Sequence, residues 1–321
     1  MGMRKGGLLM EKHYNTAIIG AGTAGLTAAL YAARSGLSVL VVENKMTGGQ
    51  IVTSPEVENY PGIEKISGFE YTEALRKQAE SFGAVLVNGT AEGFDFLASP
   101  KTFRLEGEDY TADTVILANG AEHRKLGCPG EEQLTGRGVS YCATCDGAFF
   151  RGKEVCIVGG GNTALEDALY LAKLCKKVYL IHRREEFRAS AVTVDAVMKN
   201  EVITFIPNTQ VKEIRGENKV SSVLLADKTG KETELMTDAV FVAVGLKPEN
   251  EIFAFQITLE DGYIKAGEDC KTNLPGIFAA GDTRTKLLRQ LVTAAADGAV
   301  AATQAAAFLQ ERPELQPLKK E

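Results

Sequence analysis

The chain is short of histidine, with three among 321 residues, and its six cysteines are too scattered for the disulfide framework of a small secreted domain. Only Cys142 and Cys145 have functional spacing. Cys128, Cys156, Cys175, Cys270 and the histidines form no second pair, so a zinc knuckle needing about four ligands finds no support. Basic excess is missing too. Net charge is −6 with an isoelectric point near 5.4, which argues against a nucleic-acid-binding face. No apolar run approaches the roughly 20 residues of a membrane helix, and Gly7-Leu8-Leu9-Met10 is too short for a signal-peptide core. These absences point to a cytoplasmic, reducing setting with neither membrane nor nucleic acid as partner. Residues 1–13 read as an N-terminal extension, disordered or preceding an alternative start at Met10.

What is present is glycine, 33 of them, with 45% hydrophobic residues, the profile of a soluble α/β chain long enough for about two domains. Thr16–Gly20 reads as an apolar strand running into Gly20-Ala21-Gly22-Thr23-Ala24-Gly25, followed by a small-residue helix and the strand Ser38–Glu43. The pattern recurs at Val155–Gly159, Gly159-Gly160-Gly161-Asn162-Thr163-Ala164 and Lys177–Ile181. Each copy closes on a buried strand ending in glycine, at Gly120 and at Gly245. The expected fold is α/β: two Rossmann-like three-layer dinucleotide-binding domains, the second inserted in the first. The first spans 14–120 and resumes at 248–321; the inserted one spans 121–247. Arg289–Gln310 is expected to be a long helix, and Thr90–Asp109 and Thr209–Glu234 to be β-rich additions.

The glycine turns let backbone N–H groups approach a pyrophosphate at a helix N-terminus. The residues ending the second strands separate the two sites. Glu43 lies 18 residues beyond Gly25, where a carboxylate accepts hydrogen bonds from a ribose. His182 lies 18 residues beyond Ala164 and opens His182-Arg183-Arg184-Glu185-Glu186-Phe187-Arg188. Guanidinium groups bind a 2′-phosphate that a carboxylate would repel, so the second site should prefer NADPH to NADH. The bland alternative is a solvated, charged helix start. Near the first site, Gly48-Gly49-Gln50, the turn around Asn59, Gly281-Asp282 and Arg289-Gln290 are polar turns that a larger nucleotide could use or that could be purely structural.

Cys142-Ala143-Thr144-Cys145 at a helix start can cycle between dithiol and disulfide, because the helix dipole lowers one thiol's pKa. Asp146 follows, placed to shuttle a proton to a departing thiolate or simply to favour a helix N-terminus. Cys156 and Cys175 read as core residues, Cys128 and Cys270 as incidental.

Together these motifs resemble the low-molecular-weight thioredoxin reductases from about Tyr14 to Leu309. The resemblance implies FAD on the outer domain, held by Gly20, Gly22, Thr23, Ala24, Gly25, Glu43, Asn44, Gly48, Gly49, Gln50, Asn59, Gly281, Asp282, Arg289, Gln290 and Leu291. It implies NADPH on the inner domain, held by Gly159, Gly161, Asn162, Thr163, Ala164, His182, Arg183, Arg184 and Arg188. Cys145 would face the flavin, Cys142 would attack the disulfide of thioredoxin or a thioredoxin-like small dithiol protein, and Asp146 would be the acid/base. Members are homodimers. Asn119 stands where the pattern usually has Thr, and Ala296 where Gly is common.

Both the cysteines and the nicotinamide belong to the inner domain, and both must reach one flavin face. That domain is therefore expected to rotate about the crossings near Gly120-Ala121 and Gly245-Leu246. Two other readings compete. Flavoproteins of this architecture that oxidise a small dithiol or draw on ferredoxin lose the arginine run, which this chain keeps. A non-catalytic nucleotide sensor would leave its cysteines dispensable.

Overall fold

The computed structural model describes residues 4–5, 8–9, 12–54 and 56–312. They form two compact units, one from the residues up to Glu122 together with those from Pro248 on, the other from His123 to Lys247. The two chain crossings pair with each other as short strands, Ala121–His123 and Leu246–Pro248. The expectation for residues 1–13 falls largely outside the described residues; Arg4–Lys5 and Leu8–Leu9 pair antiparallel.

In the first unit, four strands run parallel in the order Val85–Asn88, Val39–Glu43, His13–Ile19, Glu108–Leu117, and Ile277–Ala279 adds to the last. The first half of Glu108–Leu117 also pairs antiparallel with Lys101–Leu105, which in turn pairs with Ala91–Asp95. Side chains alternate across a strand, so the apolar strands feed two cores. Ile18, Val41, Ile116 and Phe278 meet the helices on one face, while Ile19, Leu40, Leu117 and Ile277 join Phe94, Phe96, Phe103, Tyr110 and Phe253 on the other. This gives helix, sheet and β-meander as three layers.

The helix layer is Thr23–Arg34 against Leu291–Gln310. Both present small residues, and at Gly298 a Cβ would lie 2.2 Å from the Ala24 carbonyl oxygen, so only glycine permits this approach. Leu291–Gln310 has the length and mean hydropathy, 1.2, of a membrane span, which amends the expectation that no segment comes close. Its buried Ala301, Ala302, Ala305 and ion-paired Asp297 make it a core helix instead. Cys270, read as incidental, is fully buried in this core, and its thiol points to the Asp297 carbonyl at 3.6 Å.

The second unit repeats the plan. Five parallel strands run in the order Val139–Ser140, Ala239–Val242, Glu154–Val158, Lys177–Ile181, Ile203–Ile206. Asn162–Ala172 and Ala191–Met198 supply helices, and Thr209–Arg215, Ser222–Asp227 and Glu232–Met236 form the meander. Cys156 and Cys175 are buried, in the two cores of this unit. The fifth strand differs in origin. In the first unit it comes from the C-terminal part of the chain, and in the second from the residues just before the cysteine pair. In both, that strand runs parallel to its neighbour and exits into a chemically loaded turn, Gly281-Asp282 in one and Cys142–Asp146 in the other.

Candidate active site

Three glycines in the first turn do three different things. Gly20 takes φ +104° with the Ala118 carbonyl 2.4 Å from where a Cβ would sit, and a Cβ on Gly25 would lie 1.9 Å from the Gly20 oxygen. Gly22 faces open space, its nearest neighbour being Gly49 Cα at 4.0 Å. It caps helix Thr23–Arg34 without any side-chain bond, leaving the N–H groups of the first turn, Thr23, Ala24 and Gly25, for a ligand. Gly48 runs alongside, its N–H donating to the Ala21 carbonyl at 2.8 Å. The buried Glu43 carboxylate accepts from Ala21 N–H at 2.8 Å and Lys45 N–H at 2.9 Å, which fixes its direction, while Asn44 beside it is exposed. Gln50 donates its amide hydrogen to the Ala121 carbonyl, and Asn59 to the Gln290 side chain at 3.1 Å.

The Gly281-Asp282 turn is held from both flanks. Gly281 N–H donates to Asp297 at 2.9 Å, and Asp297 is itself bound by Arg284 at 2.7 Å and Lys286 at 2.8 Å. On the other flank, the Thr283 hydroxyl shares its one proton between Asn250 Oδ1 at 2.7 Å and Asn119 Oδ1 at 3.1 Å, and Asn250 Nδ2 donates to the Thr283 carbonyl. Between these anchors Asp282 Oδ1 is buried with no hydrogen-bond partner, and burial pushes its carboxyl up. Arg289 Nε is likewise buried and unpartnered, its guanidinium lying 4.2 Å from the Tyr263 ring centre. Such orphaned groups fit a bound molecule that supplies hydroxyls or carbonyls. Gln290 caps helix Leu291–Gln310, of which Leu291 is the first residue. Ala296 is exposed, so its replacement of a glycine costs nothing in packing.

The second turn mirrors the first. A Cβ on Gly159 would meet the Ala243 carbonyl at 2.3 Å and Ala164 at 2.7 Å, whereas Gly161 has only the Arg188 carbonyl at 4.0 Å. Arg188 bridges Gly161 as Gly48 bridges Gly22, donating its N–H to the Gly160 carbonyl at 2.7 Å. Asn162 opens its helix and accepts from Ser190 N–H at 2.8 Å; Thr163 beside it is exposed. The His182 ring packs on Gly160 and its Nε2 is buried and unpartnered. Burial, then the neighbouring arginines, lower its pKa. Arg183, Arg184 and Arg188 are exposed and make no ion pair among the described residues, a set of free guanidinium groups for an anion.

Cys142 and Cys145 are joined as a disulfide. Cys142 caps the short helix Ala143–Asp146, and its Sγ accepts from Cys145 N–H at 3.2 Å, a donor that favours a thiolate on Cys142 in the reduced pair. Burial pushes the Asp146 carboxyl up, opposed by a hydrogen bond from Ser140 at 2.6 Å. Sequence reasoning missed Ser140, a small polar residue that only the strand geometry brings to the carboxylate. It also missed Tyr141, whose hydroxyl donates to the buried Glu131 at 3.0 Å and whose ring stacks on His123.

A family model for pyridine nucleotide-disulphide oxidoreductases matches residues 14–298. The chain belongs to that family. Within it, the chain is 46% identical over 311 residues to a thioredoxin reductase of Listeria innocua, covering 95% of this chain and 96% of that protein. It is 45% identical to one of Bacillus subtilis, covering 95% and 97%. Among solved oxidoreductases, the Streptococcus pyogenes thioredoxin reductase is 43% identical with TM-score 0.89, covering 94% of this chain and all of the other. FAD and NADPH are the cofactors of such oxidoreductases. The orphaned Asp282 Oδ1 and Arg289 Nε, the open Gly22 and Gly161, and the free arginines of the second unit are compatible with two nucleotides, one per unit.

Proposed function

We propose that the chain is an NADPH-dependent thioredoxin-disulfide reductase, with Cys142–Cys145 as its redox centre. FAD on the first unit, held by the Gly20–Gly25 turn, Glu43 and the Gly281-Asp282 turn, supplies two-electron transfer between NADPH and a disulfide. NADPH is held on the second unit by the Gly159–Ala164 turn, His182 and the three arginines.

The chain's own residues carry the exchange. In the reduced pair, Cys142 thiolate, favoured by the Cys145 N–H, attacks the disulfide of thioredoxin or a thioredoxin-like dithiol protein. A Cys142–thioredoxin bond forms as the second thioredoxin sulfur leaves, taking a proton from Asp146. Cys145 then attacks Cys142, its proton passing to Asp146; the internal disulfide closes, and the partner's remaining sulfur leaves as a thiolate that takes a proton from water to complete the dithiol. The observation that carries this reading is the disulfide's place at a helix cap with the half-buried Asp146 carboxylate, bound by Ser140, beside it. NADPH oxidation followed with and without oxidised thioredoxin tests it: turnover should require thioredoxin and vanish in Cys142→Ser.

The second unit rotates against the first about the paired crossings between half-reactions. Solved relatives of nearly equal identity support two arrangements in the family: the Streptococcus pyogenes enzyme at 43% matches with TM-score 0.89, and a Lactococcus lactis thioredoxin reductase solved in the FR conformation, at 42%, with 0.64. A cross-link between the units should stop turnover yet leave either half-reaction intact; turnover through the lock would end this part. The protein works as a homodimer in the reducing cytoplasm, consistent with four unpaired cysteines, and light scattering of the purified protein checks the stoichiometry.

A further inference from the structure

Ser140 ends the strand Val139–Ser140, where the parallel ladder sets it opposite Phe241, and it is only 5% exposed. Its hydroxyl donates to Asp146 Oδ2 at 2.6 Å and accepts from Cys142 N–H at 3.1 Å. Asp146 N–H donates to the Cys142 carbonyl at 3.1 Å, which closes a ring around the redox pair. Among the described residues no other side chain bonds to the Asp146 carboxylate. The carboxylate thus rides on a four-residue helix but is tied to the sheet through one hydroxyl.

We propose that Ser140 is a positioning residue for the redox centre: it holds the Asp146 carboxylate in one orientation and sets the pH range over which Asp146 gives and takes the exchange proton. The inference rests on the acid/base reading of Asp146 given above. The proton account closes. Protonated Asp146 gives its proton to the departing thioredoxin sulfur and becomes a carboxylate, to which the Ser140 hydroxyl donates. Asp146 recovers a proton from the Cys145 thiol as Cys145 attacks Cys142. The thioredoxin S–S bond breaks, the internal one forms, and two electrons leave with the partner, whose second sulfur departs from Cys142 as a thiolate and takes its proton from water.

Other charges do not take this role. The helix Asn162–Ala172, packed on the redox helix, carries Glu166, Asp167 and Tyr170; Arg151 follows on the same segment; and Ala239–Val242 has no titratable group. None hydrogen-bonds Asp146. Burial raises its carboxyl and Ser140 alone opposes that. A donor to the charged form favours it, so losing the hydroxyl raises the carboxyl further.

The test compares wild type, Ser140→Ala and Asp146→Asn as FAD-loaded enzymes. It reads kcat for thioredoxin reduction against pH, alongside the pH dependence of iodoacetamide alkylation of the reduced cysteines. Asp146→Asn should abolish one limb of the kcat profile. Ser140→Ala should keep that limb but move it to higher pH by about one unit, as expected for a hydrogen bond to a charged group. If the alanine protein does not fold, Ser140→Cys, close in shape with a weak donor, should show the same displacement. A limb that stays in place in the serine variants, or activity scaled down equally at every pH, overturns the proposal while the Asp146 reading survives. A limb that persists in Asp146→Asn removes that reading and the proposal with it.

Discussion

Asp297 accepts the backbone hydrogen of Gly281 at 2.9 Å, from the middle of a helix whose sequence looks merely alanine-rich. The same carboxylate is bound by Arg284 and Lys286, whose side chains are 3% and 5% exposed. A single buried residue thus ties the turn bearing Asp282 to the helix layer. Asp297→Ala leaves buried Lys286 without a carboxylate partner and buried Arg284 with only the exposed Glu268 at 3.9 Å, and should cost about 3–5 kcal/mol in urea denaturation. An unchanged denaturation midpoint would show that the network carries no load.

The same carboxylate gives stability a pH dependence. Burial pushes Asp297 up, but the bonds from Arg284 and Lys286 together outweigh it and leave the carboxyl below its ordinary 3.8. A depressed carboxyl contributes fully above its unfolded value and loses that contribution as pH falls through the folded one. The melting-temperature gap between wild type and Asp297→Asn should therefore be widest near neutrality and shrink below about pH 4.

The glycines within each turn should separate folding from binding. Gly25→Ala places a methyl 1.9 Å from the Gly20 oxygen and should destabilise the chain by more than about 2 kcal/mol. Gly22→Ala meets only Gly49 Cα, at a comfortable 4.0 Å, so melting of the FAD-free protein should hold while FAD affinity drops about tenfold or more. Gly161→Ala should do the same for NADPH and leave FAD binding alone. Calorimetry with each nucleotide checks all three.

The arginines should govern cofactor choice. If the arginines hold a phosphate remote from the reacting carbon, as proposed, Arg183→Ala and Arg188→Ala should each raise KM for NADPH about tenfold with kcat nearly kept. NADH kinetics should be unchanged. Equal losses with both cofactors would assign the arginines to general electrostatics instead.

Much of this is legible in the amino-acid sequence alone. The strand–glycine–helix repeats, the redox pair and the arginine run depend on local spacing, and the strand Lys177–Ile181 matches its expected bounds. What stayed hidden depends on distant parts of the chain meeting. Asn119 looks like an odd substitution until Asn250 and Thr283, more than 130 and 160 residues on, are seen beside it. Ser140 is an unremarkable serine until the ladder turns it toward Asp146. Leu291–Gln310 is apolar enough to suggest a membrane, and only its packing against Thr23–Arg34 decides otherwise.

The central claim is that Cys142 is the sulfur that meets the partner. Cys145→Ser, reduced and mixed with a thioredoxin keeping one active-site thiol activated as its thionitrobenzoate disulfide, should release one equivalent of thionitrobenzoate and form a stable one-to-one adduct. Peptide mapping should place the bond at Cys142. No adduct, or one that forms as readily in Cys142→Ser through Cys145, would contradict the account.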